Sequence, residues 1–127
     1  MDRDNYITRA YVMDLYNNPH NHGKIDDYDF FLKGKNPLCG DRITIYIKIN
    51  KDIIEDISFE SEGCIISSVS SSILTDEVKG RSISEIKKNL KFSDIEDKLL
   101  IKLSSSREKC ARLSFDTFLS ILNDNNL

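Results

Sequence analysis

The chain has 127 residues, 18 Lys+Arg against 21 Asp+Glu, a net charge of −3 and a hydrophobic content of 39%. That length suits a single domain over residues 1–127 with its own core and no need of disulfide staples. The mixed charge carries no dominant basic stripe and argues against a general nucleic-acid binder. The longest uncharged stretch, Gly63 to Thr75, is too short and serine-rich to span a bilayer.

In chain order, Tyr6, Ile7, Ala10, Tyr11 and Leu15 recur at helical spacing, so Arg3 to Asn17 reads as an amphipathic helix. Asn17-Asn18-Pro19 ends it, because proline disfavours helical geometry in the residue before it. The polar loop Asn21 to Asp27 leads to a short strand from Tyr28 to Leu32. Ile43, Ile45, Ile47 and Ile49 then alternate with Thr44, Tyr46 and Lys48, a period of two in β-branched residues. Asn50-Lys51-Asp52 is a turn, and Ile53 to Phe59 is the second arm of a hairpin.

Ile65, Ile66, Val69, Ile73, Leu74 and Val78 fit a helix from Ile65 to Lys79, closed by Gly80 as its C-cap. Ser67, Ser68, Ser70, Ser71 and Ser72 form small polar faces of that helix, suited to close packing. Ser82 to Glu85 has the capping-box pattern and opens a short helix. Asp94 to Leu103 reads as helical. Ser105-Ser106-Arg107-Glu108 is a second capping-box pattern, followed at helical spacing by Ala111, Phe115, Phe118, Leu119 and Leu122.

The three cysteines, Cys39, Cys64 and Cys110, are an odd number, and no charged segment followed by an apolar run opens the chain. Both features point to reduced thiols in the cytoplasm. The first strand of the hairpin begins just after Cys39-Gly40-Asp41, and the second runs out at Ser61-Glu62-Gly63-Cys64. In a hairpin those two ends lie side by side, so the pairing brings Cys39, Asp41 and Cys64 together. Cys110 lies near the start of the last helix.

Three thiolates and a carboxylate make a four-ligand set for a borderline-soft metal, and the same set can complete the shells of a two-iron cluster. Gly40 and Gly63 permit backbone conformations a Cβ would hinder and let a cluster approach. Arg42, Lys109 and Arg112 supply positive charge that favours thiolate over thiol. The plainer alternatives are that each cysteine is a small buried hydrophobe, Asp41 a turn residue, and Lys109 and the Asp26-Asp27 pair solvated charges. His20 and His22 form an H-x-H that reads as a solvated loop pair rather than as ligands. No Ser/His/Asp set, phosphate-binding glycine loop or HExxH stands behind a hydrolase or kinase reading.

Asn36-Pro37-Leu38-Cys39-Gly40-Asp41-Arg42, Ile54-Glu55-Asp56, Phe59-Glu60-Ser61-Glu62-Gly63-Cys64, Thr75-Asp76-Glu77-Val78-Lys79-Gly80 and Lys109-Cys110-Ala111-Arg112-Leu113 resemble the iron–sulfur scaffold family of IscU, SufU and NifU amino-terminal domains. Met13 to Asn21 is similar to that family's opening helix and the turn after it. The resemblance covers nearly the whole chain. It implies an α+β fold, a three-stranded antiparallel sheet packed against several helices, and a role in iron–sulfur cluster biogenesis. It also implies that Cys39, Asp41, Cys64 and Cys110 are the metal and cluster ligands.

The partners implied are a cysteine desulfurase, which hands persulfide sulfur to one of the thiols, and acceptor proteins that take the cluster; neither nucleic acid nor membrane is implied. Zinc is the metal expected in the isolated protein and a transient [2Fe–2S] cluster the cargo. Cys39 or Cys110 is the expected persulfide acceptor, Cys39 preferred for its glycine-flanked loop, with Lys109 in support. Two departures matter. The IscU branch has a histidine before its last cysteine and a Leu-Pro-Pro-Val-Lys segment, where this chain has Lys109 and Leu103-Ser104-Ser105-Ser106-Arg107. Lysine there resembles SufU, yet SufU-type chains carry an insertion of about twenty residues before the third cysteine, a length that loops tolerate. Only 45 residues separate Cys64 from Cys110 here. The readings that follow are a non-enzymatic scaffold building a [2Fe–2S] cluster, a zinc-dependent persulfide sulfurtransferase that builds none, and a structural zinc module. Asp41 speaks against the last, because structural zinc sites are usually closed by cysteine and histidine.

Overall fold

The computed structural model describes residues 3–37 and 40–127, with side chains described from Arg9 onward. Cys39 and Leu38 therefore lie outside the described residues, as do the side chains of Tyr6 and Ile7. The elements run α1 (Arg3–Asn17), β1 (Phe30–Asn36), β2 (Asp41–Asn50), β3 (Ile53–Glu62), α2 (Ile65–Val78), α3 (Ile83–Asn89), α4 (Phe92–Leu99) and α5 (Ser105–Asp124). The strands form one antiparallel sheet in the order β1-β2-β3. This is the α+β arrangement expected. No helix among the described residues is long and apolar enough to cross a membrane.

The alternation of isoleucines in β2 puts Ile43, Ile45 and Ile47 on one face of the sheet. Across from them stand Ser61, Phe59 and Ile57 of β3, and Gly34, Leu32 and Phe30 of β1. Against this face pack Val69, Ile73 and Leu74 of α2, Ile95 and Leu99 of α4, and Phe118, Ile121 and Leu122 of α5 in one contiguous core. A Cβ at Gly34 would fall 2.0 Å from Thr117 Oγ1, so the missing side chain is what lets β1 lie against α5. Beyond β3, the loop after α1 covers the sheet edge: Phe59 N donates to Asn21 O at 3.0 Å, and Gly23 N to Phe59 O at 2.9 Å.

Several boundaries differ from the sequence expectation. The first strand is Phe30–Asn36 rather than Tyr28 to Leu32, because pairing with β2 continues until Asn36 meets Asp41. β3 likewise runs on to Glu62, past Phe59. The C-cap of α2 is Lys79 in an extended conformation, and Gly80 follows it at φ +82°. The fourth helix starts at Phe92, not Asp94, and stops at Leu99, where Leu100 turns left-handed at φ +60°. Ser104 rather than Ser105 caps α5, accepting from Arg107 N at 3.3 Å. The serines of α2 are buried, not on polar faces: Ser70 and Ser71 donate to the Ile66 and Ser67 carbonyls of their own helix at 2.8 and 2.6 Å.

On the outer face of the sheet the rings of Tyr28, Phe31 and Tyr46 gather, and Tyr46 Oη donates to Glu60 Oε1 at 2.6 Å. That hydrogen bond to an anion, helped by burial, pushes the Tyr46 phenol up to about 12. A proton held more tightly in the fold than in the open chain stabilises the fold below the unfolded pKa of about 10. The contribution fades as pH rises from there through about 12. An ultraviolet titration should show one of the five tyrosines ionising late, a step missing from Tyr46→Phe. The same variant should lose about 1 kcal/mol in urea denaturation at neutral pH, with the gap narrowing in strong alkali. A parent protein without the late step would deny Tyr46 this role.

Candidate metal centre

The first inward-facing position of β2 is Asp41, whose side chain is only 1% exposed. A carboxylate at that depth is costly unless it is hydrogen-bonded or faces a cation. Its Oδ1 accepts from the Cys64 backbone N–H at 2.9 Å, and its Oδ2 accepts from the Ser67 hydroxyl at 2.6 Å. Both donors come from the start of α2, which the end of β3 delivers beside the start of β2 through the hairpin.

Cys64 is the N-cap of α2, with extended backbone, and its Sγ accepts from Ile66 N at 3.4 Å. The sulfur thus sits where the free amides of a helix end point outward, a position that suits anions. The turn before it depends on Gly63, at φ +124°, where a Cβ would stand 2.2 Å from Asp41 Oδ1. Cys110 projects inward from the second turn of α5 and is 6% exposed. Its backbone carbonyl oxygen lies 3.3 Å from the Ser67 hydroxyl.

One carboxylate oxygen of Asp41 and the two sulfurs all lie within 4.8 Å of one another. Bonds of 2.0–2.3 Å to a tetrahedral ion would set such donors roughly 3.5–3.8 Å apart, so a modest closing of side chains would bring them to bonding distance. Two thiols and a buried carboxylate are a donor set that fits a borderline-soft dication or a thiolate-held cluster. Of the four expected ligands, then, the structure brings Asp41, Cys64 and Cys110 together, and Cys39 lies outside the described residues. Cys64 is a free thiol.

The surrounding charges are arranged differently from expectation. Arg42 follows Asp41 in a strand and so faces the other side of the sheet, lining a depression with His22, Glu60 and Glu62. Arg112 lies over the rings of Phe92 and Phe115, 4.7 and 5.7 Å from their centroids, with Asp116 at 3.5 Å. Lys109 is exposed, and with Lys35 and Arg112 it puts three cations around a hollow that includes Asn36 and Pro37. On the open side of Cys64 the cations are Arg9, Lys102 and Arg107, around a groove of roughly 680 Å³ with an apolar floor of Val12, Ile65 and Ile66. No sequence pattern marks that second group, because Arg9 lies far along the chain from Lys102 and Arg107.

Ser67 was hidden as one of five similar serines, although its place one turn beyond the Cys64 cap could have marked it. The two histidines are not with the ligands. His20 Nδ1 lies 2.6 Å from Asp76 Oδ2, and the His22 ring meets Phe59 edge-on at 5.4 Å. Both are exposed, as expected of a loop pair away from the ligands, and their contacts hold the loop after α1 against α2 and β3. Asp27 pairs with Lys48 at 2.6 Å at the surface.

Known proteins resemble this chain in sequence and in fold. The family described as NifU-like N terminal domain matches residues 7–124. Over 125 residues the chain is 36% identical to the zinc-dependent sulfurtransferase SufU of Bacillus subtilis (strain 168), covering 86% of this chain and 84% of that one. It is 39% identical over 105 residues to the iron-sulfur cluster assembly scaffold protein IscU 1 of Archaeoglobus fulgidus, covering 83% and 67% of the two chains. Among solved structures, a protein from Fervidobacterium islandicum described as a putative iron-sulfur cluster assembly scaffold protein for the SUF system superposes with a TM-score of 0.74. It is 28% identical, over 88% of this chain and 93% of that one.

Proposed function

The chain belongs to the NifU-like N-terminal domain family, and from that premise we propose that it is an iron–sulfur cluster assembly scaffold. In this reading it takes sulfur from a cysteine desulfurase, holds a transient [2Fe–2S] cluster as cargo, and passes it to acceptor proteins in the cytoplasm. The observation that carries the proposal is the convergence of Asp41, Cys64 and Cys110 within 4.8 Å. With Cys39, which precedes Asp41 by two residues, they would be the ligands of the cluster, or of zinc in the isolated protein. A bound ion there would supply charge compensation to the buried carboxylate and hold the sulfurs deprotonated. A carboxylate is the ligand most readily exchanged in such a set, which suits a site that must release its contents.

Sulfur would arrive by thiol chemistry. A thiolate of this chain attacks the outer sulfur of the desulfurase persulfide; the new S–S bond forms as the old one breaks, and the donor cysteine leaves as thiolate. Cys39 is the acceptor we favour over Cys110, because Cys110 is 6% exposed on a helix. Lys109 stands in the cationic hollow that reaches Pro37, two residues before Cys39 in the sequence. A cation there would steady the incoming negative charge. Lys109→Ala should keep its metal yet take up persulfide more slowly, as read by mass spectrometry of each cysteine after incubation with a cysteine desulfurase and cysteine. Persulfide confined to Cys64, or an unchanged rate, would remove these roles.

A second reading, a zinc-dependent sulfur carrier that builds no cluster, is favoured by Lys109 and by the similarity to the Bacillus subtilis protein. Anaerobic reconstitution with iron and sulfide, beside a zinc-loaded control, separates the two. The scaffold should gain visible absorption with iron and sulfide in equal amounts. A protein that stays colourless, keeps zinc and still accepts persulfide is the carrier.

A further inference from the structure

Ser67 has no place in the four-ligand set, yet its hydroxyl ties together the three elements that carry it. At 1% exposure it donates to Asp41 Oδ2 on β2 at 2.6 Å and lies 3.3 Å from the Cys110 carbonyl oxygen on α5. Its neighbours behave otherwise: Ser70 and Ser71 turn back onto carbonyls of their own helix. With Cys64 N bonded to Oδ1, both oxygens of the buried carboxylate are held by α2.

We propose that Ser67 is a positioning residue for Asp41, fixing its carboxylate in the orientation that sets one oxygen among the thiols. The inference rests on the reading of Asp41 as a ligand and adds the group that aims it. Each carboxylate oxygen has two lone pairs, so it can keep the serine hydrogen bond while it binds a metal. Partners of this kind orient the atoms that ligate, and their loss typically weakens metal binding about 10- to 100-fold. Without the hydroxyl Oδ2 loses the hydrogen bond that orients it, and a buried anion loses one of its donors.

The test is a double-mutant cycle. Zinc affinity is measured by competition with a chromophoric chelator for the parent, Ser67→Ala, Asp41→Ala and the double variant. Ser67→Ala should weaken zinc binding about 10- to 100-fold when Asp41 is present and leave it unchanged in the Asp41→Ala background. Equal weakening in both backgrounds, or none in either, overturns the positioning role. An Asp41→Ala protein that holds zinc as tightly as the parent brings down the underlying reading of Asp41 itself. Should metal-free Ser67→Ala fail to unfold cooperatively in urea, Ser67→Thr and Ser67→Val, alike in shape except for the hydroxyl, take its place. Threonine must then bind zinc more tightly than valine by the same factor, and equal affinities overturn the proposal.

Discussion

Serine in place of Cys64 should strip the metal from the protein while leaving its metal-free fold as stable as before, or more so. The two effects separate because Cys64 has two jobs. As a ligand it offers a thiolate, whereas a serine hydroxyl stays protonated at neutral pH and binds a dication poorly. Losing a ligand outright should exceed the roughly 100-fold cost of losing a group that merely orients one. As the N-cap of α2, Cys64 accepts from Ile66 N at 3.4 Å through sulfur. Serine is among the best N-cap residues, so the substitution should hold or add about 0.5–1 kcal/mol there. Cys110→Ser should lose the metal too but at some cost in stability, because it buries a hydroxyl in the packed second turn of α5. Cys39→Ser should lose metal as well. Metal analysis of each purified variant and urea denaturation of the metal-free forms read both effects. Full occupancy in all three would sink the site.

The part of the site legible in the sequence was the part that strand pairing dictates. The isoleucine alternation of β2 and the turn at Asn50-Lys51-Asp52 fixed a hairpin, and a hairpin leaves little choice about which residues meet at its open end. Asp41 and Cys64 followed from that. Cys110 came from the family resemblance and from its place near the start of α5; the apolar spacing marks the buried face of that helix but not which strand end it meets. The cations differ from the expectation for a related reason. Arg42 and Arg112 sit beside ligands in sequence, but a strand turns successive side chains to opposite faces, and Arg112 is engaged by two aromatic rings and Asp116. Nearness along the chain is not nearness in space. The ends of α4 differ by two and four residues from the expectation, because its start is set where Lys91 N donates to the Asp94 carboxylate and its end by a left-handed Leu100. Among five serines only its place one turn beyond the Cys64 cap sets Ser67 apart, and its hydroxyl matters only once β2 is laid across α2.

Gly63→Ala should be among the most damaging single substitutions outside the ligands, and Gly40→Ala is its control. Both glycines have positive φ, +124° at Gly63 and +74° at Gly40, so alanine is strained at either position. Backbone strain of this kind costs of order 1–3 kcal/mol. The surroundings differ. At Gly40 nothing among the described residues stands within 4 Å of an added Cβ, whereas at Gly63 it would fall 2.2 Å from Asp41 Oδ1 and 3.0 Å from Asp41 Cα. The carboxylate cannot simply swing aside, because Oδ1 and Oδ2 are held by Cys64 N and Ser67 Oγ. Either the hairpin end opens or the buried anion gives up a donor, which adds a further cost of about 1–3 kcal/mol. Gly63→Ala should therefore lose roughly 2–6 kcal/mol of metal-free stability, and zinc affinity should fall with it, since the displaced group is itself a ligand in the proposed set. Gly40→Ala should show the strain alone and keep its metal more nearly intact. Urea denaturation and chelator competition on the pair check both halves. A Gly63→Ala protein as stable and as tightly metallated as Gly40→Ala would mean that the contact with Asp41 does not govern the site.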